Sequence, residues 1–263
     1  MKPALYNLLY CSAWNIDGKA WHAMHMAAQS PNSLELSIND FISPREKMEI
    51  DENGIAHIAV SGTLGVSLGV DEKLWGDSRY SSISDEVAAA KSEARGIMFH
   101  ISSPGGMSVG NIETATIASA SGIPTASHIE GLGCSAAYAF AAGTDRITAT
   151  PSSLVGSIGT ILPMLDVSGL WSSMGVKPDY ITSGDLKAAG YAPSQSSEER
   201  AALQQEVDDL GAMFRAHVSK YRSVPADAMR GQAFVGTRAK SVRLIDAVSD
   251  YGSAYKSLLK RLS

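Results

Sequence analysis

From Gly54 onward the chain alternates short apolar runs with longer stretches that are apolar along one helical face. "IAHIAVSGTL" is β-rich and ends in a Gly-containing turn, which predicts a strand. "SISDEVAAAKSEA" predicts a helix with Ser and Asp near its start. "GIMFHIS" is a continuous apolar run, the pattern of a strand buried on both faces; "SPGGMS" is expected to break it. "VGNIETATIASAS" resumes a helix, "IPTASHI" is another strand, and "GCSAAYAFAAG" follows as a helix. "RITATPSSLVGSIGTIL" predicts strand, turn, strand, and "LWSSMGVKPDYITSG" a helix followed by a strand. "SEERAALQQEVDDLGAMFRAHVSKYR" is a long amphipathic helix with apolar positions at Leu203, Val207, Leu210, Met213, Phe214 and Val218. "AFVGTRAKSVRLIDAVSDYGSAYKSLLKRL" predicts a short strand and two helices. Strands alternating with helices in this way predict an α/β domain with a mostly parallel sheet.

Residues 1–50 differ. They read as an N-terminal arm, with a helix-like "GKAWHAMHMAAQS" and a charged connector, "ISPREKMEIDENG". Residues 51–263 then form the main domain. The apolar "ALYNLLYCSAW" is too short and interrupted to span a bilayer, so no membrane anchor is expected and the cytoplasm is the expected location.

Composition narrows the function. With 263 residues and 44% hydrophobic content, a large core needs no disulfides. The net charge of −5 disfavours a nucleic-acid surface. Cys11 and Cys134 are too few for a disulfide framework or a zinc site, and His22 and His25 lack ligand partners nearby, so neither metal nor cofactor is expected. Cys134 reads as buried packing rather than as a thiol nucleophile.

Three stretches carry chemistry. In "HISSPGG", a buried strand runs into Gly105 and Gly106. Such a turn is either a plain connection or a place where N–H groups meet developing negative charge. "GLGCSAAY" puts Ser135 at a helix start, either as a cap or as a nucleophile beside the Ala136 N–H. "LVGSIGT" holds Ser157 between glycines, and "SGDLKAAGYAPSQSSEER" holds Lys187, which alone would read as a solvated charge.

Taken in order, "SPGG", "GCSAAY", "ATPSSLVGSIGT" and "SGDLKAAGYAPSQSSEER" resemble the signal peptide peptidase A family of serine–lysine proteases. The closer likeness is to the phage and prophage branch that processes capsid components, and it covers roughly Gly54 to Val248. The resemblance implies a crotonase-like, Clp-protease-like α/β spiral of ββα units with an N-terminal arm and C-terminal helices. It implies Ser135 as nucleophile, Lys187 as general base and Ser157 as a hydrogen-bond partner of the lysine amine. Gly106 and Ala136 would supply the oxyanion hole. Where the family often has Gly after its serine, this chain has Ala136. Residues 51–263 would be the serine peptidase domain, acting on polypeptides such as phage scaffold or capsid protein, and in a prohead if phage-encoded. Related members form rings in which neighbours supply serine and lysine, so a homo-oligomer is expected.

The chemistry agrees with that assignment. A serine hydroxyl needs an adjacent base, and a lysine with a pKa of ~10.4 is only about 0.1% neutral near pH 7.4. Lys187 must therefore leave water, with Ser135 and Ser157 bonding its neutral form. His128 and His217 flank Ser135 in sequence but not where a Clp-type histidine would stand. Gly105, Met107 and Tyr138, with Val109 and Ala137, are expected to line a modest apolar substrate pocket. Two alternatives stand beside this reading: a crotonase-type acyl-CoA enzyme with Glu130 or Asp145 as acid and base, and a catalytically dead capsid-assembly component.

Overall fold

The structure, a computed structural model, describes residues 13–29, 47–66, 79–164, 166, 168–191 and 195–262. Cys11 and the first part of the charged connector, residues 42–46, lie outside the described residues. A nine-stranded sheet organises the chain. Its strands are β1 (Trp14–Ile16), β2 (Glu49–Ile50), β3 (Ile55–Leu64), β4 (Gly96–Met107), β5 (Thr125–Cys134), β6 (Arg146–Ala149), β7 (Leu154–Gly156), β8 (Ala233–Val235) and β9 (Ala247–Val248). The helices are α1 (Gly18–Gln29), α2 (Tyr80–Glu93), α3 (Asn111–Ser119), α4 (Ala136–Ala142), α5 (Ser168–Ser173), α6 (Ser197–Tyr221), α7 (Gly236–Ser241) and α8 (Tyr251–Leu259).

The main path runs β2-β3-β4-β5-β6-β9. Pairs β3–β4, β4–β5, β5–β6, β5–β7 and β6–β9 are parallel, as the alternating pattern predicts. Successive residues of β4 point to opposite faces. Ile97, Phe99 and Ile101 join a large core with α2, α3, α4 and α6. Met98 faces the other way, with Ile55, Ala126, and Ala254 and Leu258 of α8. This explains why "GIMFHIS" is apolar without alternation. Helix α4 has every residue buried, which its run of alanines permits, because small side chains let neighbours close in from all sides. Helix α6 starts on a capping box: the Glu199 N–H donates to Ser196 Oγ at 3.1 Å and the Ser196 N–H to Glu199 Oε2 at 2.8 Å.

Three expectations change. Strand β4 does not stop before "SPGGM" but continues through it, because β3 pairs with Gly105 and Gly106 on one side and β1 with Gly105 to Met107 on the other. "DYITS" forms no strand; no neighbouring edge reaches it. Within the segment expected as an arm, Trp14 is wholly buried and belongs to the main core. Beyond the single strand expected near the C-terminus, Ala247–Val248 adds a second, laid against β6. No helix among the described residues is long and apolar enough to cross a membrane.

Candidate active site

The end of β5 delivers Ser135. Cys134 pairs with Gly156 of β7, so the next residues of the two strands, Ser135 and Ser157, leave the ladder side by side. Both have positive φ, 56° and 53°, a region that non-glycine residues enter only when the surroundings impose it. The surroundings do so here. The Ser135 N–H donates to Gly156 O at 2.7 Å, its carbonyl accepts from the Ala139 N–H at 2.9 Å, and the Ser157 N–H donates to Gln232 O at 2.9 Å. The Ser135 side chain is wholly buried, and its Oγ has no hydrogen-bond partner among the described residues. An unpartnered buried hydroxyl costs stability, so its presence calls for a role.

The glycine turn closes on this serine. A Cβ on Gly105 would fall 2.9 Å from Ser135 Cβ and 3.0 Å from Ala136 N, so only glycine leaves room beside the hydroxyl. A Cβ on Gly106 would fall 1.9 Å from Leu64 O; β3 approaches too closely for any side chain. Ser103, which sequence reasoning missed, holds the turn. Its Oγ donates to Gly62 O at 2.6 Å and accepts the Gly105 N–H at 3.1 Å. That bond takes the Gly105 donor and leaves the Gly106 and Ala136 N–H groups as the candidates facing Ser135. Only a strand-end serine two residues before a glycine marked Ser103 in the sequence, and such serines are common.

Other residues lie elsewhere. Lys187 is exposed, in a turn where its N–H donates to Gly184 O at 3.0 Å. The single chain therefore brings Ser135 and Ser157 together but not Lys187. Met107 and Tyr138 do not face an open pocket: Met107 is buried in the core, and Tyr138 is wholly buried with its hydroxyl donating to Leu244 O at 2.8 Å. Val109, by contrast, is exposed. The Cys134 thiol lies against Leu154 O, and burial pushes its pKa up to about 12, which leaves no thiolate for chemistry. His217 bonds Ala139 O at 2.9 Å, and His128 bonds Thr148 Oγ1 at 2.9 Å; neither reaches Ser135 Oγ. Glu130 is exposed, and Asp145 accepts the Thr125 N–H at 2.8 Å, at the opposite end of β5 from Ser135. Among the described residues no group of His, Cys, Asp and Glu is arranged to hold a metal.

Comparison with known proteins adds the following. The profile of peptidase family S49 matches residues 117–263, a span holding Ser135, Ser157 and Lys187. The chain is 32% identical over 184 residues to the head-tail preconnector protein GP5 of Enterobacteria phage P21, covering 68% of this chain and 37% of that protein. It is 31% identical over 179 residues to a putative signal peptide peptidase SppA of Enterococcus faecium (63% and 51%). It is 30% identical over 174 residues to the capsid assembly protease C of Escherichia phage lambda (64% and 40%). The chain thus spans between about a third and a half of the length of these relatives. The solved structure of a putative enoyl-CoA hydratase/isomerase from Acinetobacter baumannii aligns with 84% of the chain and 82% of its own, at 13% identity and a TM-score of 0.47.

Proposed function

The chain belongs to peptidase family S49, and on that premise we propose that it is a serine endopeptidase in which Ser135 attacks the peptide carbonyl and Lys187 accepts the proton. The observation that carries this reading is Ser135 itself: buried, held at positive φ, its hydroxyl unpartnered, with Ala136 N and the Gly105–Gly106 turn against it. Attack by Ser135 Oγ forms a tetrahedral centre whose oxyanion takes the Gly106 and Ala136 N–H groups. Lys187 then passes its proton to the departing amine, and the neutral Lys187 side chain next takes a proton from water, which attacks the acyl-serine ester and releases Ser135. Ser157, beside Ser135, orients the lysine.

A second copy of the chain supplies what one copy lacks. The segment carrying Lys187 exposes Leu170, Met174, Ile181, Leu186 and Tyr191, with Ile181 fully exposed. Five large apolar side chains exposed within one segment suit a contact surface. Docked on a neighbour, it takes the lysine out of water and into reach of that neighbour's serine. The phage relatives point to a scaffold or capsid polypeptide as the substrate. The test is incubation of wild type and Ser135→Ala with a panel of unfolded proteins, read by mass spectrometry, alongside labelling by a fluorophosphonate. Cleavage and a Ser135 adduct in wild type alone are expected; equal cleavage by Ser135→Ala would overturn the reading.

A further inference from the structure

Strand β1 contributes three residues to the sheet, and it lies along the segment that faces the nucleophile. Trp14 pairs with Met107, Asn15 with Gly106 and Ile16 with Gly105, all antiparallel. On its other edge Trp14 exchanges two bonds with Ile161: its N–H donates to Ile161 O at 2.8 Å and its carbonyl accepts from Ile161 N at 2.9 Å. Residues 13–17 are thus an extended peptide held between two backbone edges.

The register places one carbonyl at the reacting position. The Asp17 N–H donates to Pro104 O at 2.8 Å, and the Ser108 N–H donates to Ala13 O at 3.1 Å. Hydrogen-bonded pairs recur every second residue in an antiparallel ladder, so Asn15 and Gly106 are the bonded pair between them. The Gly106 N–H, a candidate oxyanion donor, therefore faces the Asn15 carbonyl. The point where a Cβ on Gly105 would sit lies 2.3 Å from Asn15 O, 2.9 Å from Ser135 Cβ and 3.0 Å from Ala136 N. One backbone carbonyl, the nucleophile's carbon and the second candidate donor crowd a single spot.

The side chains of this peptide are read as a ligand's would be. Asn15 Oδ1 accepts from Ser108 Oγ at 3.0 Å and from Thr160 Oγ1 at 2.7 Å. Trp14 and Ile16 are buried to 0% and 4% exposure. Alternate residues thus enter one polar and two apolar recesses, while the main chain makes the ladder bonds, as in strand addition of a peptide to a sheet edge. With this strand in place Ser135 has no exposed surface, and a polypeptide substrate has no route to it.

We propose that residues 13–17 are bound as a tethered, substrate-like peptide that fills the groove between Gly105–Met107 and Ile161, and that the groove accepts a polypeptide only when this strand leaves. The proposal rests on Ser135 being the nucleophile. It also names the substrate class: extended segments that place a side-chain amide between two large apolar residues, the amide read by Ser108 and Thr160.

The test uses the full chain and a labelled, N-acetylated peptide of residues 12–17, SAWNID. Binding is followed by fluorescence anisotropy in wild type, Trp14→Ala and Asn15→Ala. A groove filled by its own strand nine-tenths of the time weakens apparent affinity about tenfold, so each variant is expected to bind the peptide roughly tenfold tighter than wild type. Because Trp14→Ala removes a core side chain, Asn15→Ala and wild type keep the test decisive. In wild type, saturating peptide should speed hydrogen exchange at residues 14–16 as the tethered strand is displaced. Fluorophosphonate labelling of Ser135 should quicken in the variants and slow again on adding peptide. If the peptide behaves as expected but Ser135 is never labelled, the nucleophile fails and the occupied groove stands. A folded Asn15→Ala that binds no better than wild type, with exchange at residues 14–16 unmoved by peptide, overturns the proposal.

Discussion

Replacing Ser135 with Ala and with Gly separates two costs carried at one residue. The hydroxyl is buried without a partner, and an unsatisfied buried hydroxyl costs about 1–3 kcal/mol. The backbone sits at φ 56°, ψ −119°, and strain of this kind costs on the order of 1–3 kcal/mol. Ser135→Ala removes the first cost and keeps the second. Ser135→Gly removes both, less roughly 0.5–1 kcal/mol for the extra freedom that glycine gives the unfolded chain. Ser135→Ala should therefore be more stable than wild type by about 1 kcal/mol, and Ser135→Gly by about 1 kcal/mol more. For a chain of this size each kcal/mol raises Tm by about 2–4 °C. Both variants should be inert to a fluorophosphonate and inactive against unfolded protein. Urea unfolding followed by circular dichroism, with scanning calorimetry beside it, reads the stabilities. If both variants prove less stable than wild type, the hydroxyl has a stabilising partner and the strain argument is wrong. Stability gained by deleting a reactive group is what a site built against folding economy predicts.

Three further outcomes follow from particular contacts. Gly106→Ala forces a Cβ to within 1.9 Å of Leu64 O; the β3–β4 ladder must part, and a displacement near 1 Å at a donor should lower activity by about 10²-fold, so wild-type turnover would refute the turn's role. Inactive Ser135→Ala and inactive Lys187→Ala should regain partial activity when mixed, because the proposed site pairs the exposed Lys187 of one copy with Ser135 of another; no recovery, with subunit exchange demonstrated, would place both residues in one chain. Burial, then the neighbouring His57 and His128, pulls the pKa of His100 from 6.5 down to about 4. The unfolded chain takes up this proton below pH 6.5 while the folded chain refuses it until about 4, so stability should fall across that window as pH drops. His57 bonds His100 at 2.9 Å, and the Tyr251 ring lies 5.0 Å away. Urea midpoints at pH 7.5 and 5 in wild type and His100→Gln measure it, and an equal drop in both would acquit His100.

Much of the frame was legible locally. The continuous apolar run of β4, the alanine-rich α4 and the capped amphipathic α6 each carry their own signature, because periodicity and caps act within a few residues. Ser135, Ser157 and the Gly105–Gly106 turn were legible as an ordered set of motifs. What a sequence cannot hold is the identity of a distant partner. "WNI" looks like any short apolar stretch; it becomes β1 only because Gly105–Met107 and Ile161 offer two free backbone edges at the right spacing. The same pairing extends β4 through a Gly-Gly turn that local preference would have ended, and withholds a strand from "DYITS", which has no edge to join. Asn15, Ser103 and Thr160 are ordinary polar residues in the chain, and their roles arise from bonds to residues as far as 145 positions away. Lys187 shows the limit from the other side: its residue type is legible, but the dry surroundings that a lysine base needs are a property of packing, and a single folded chain leaves it in water.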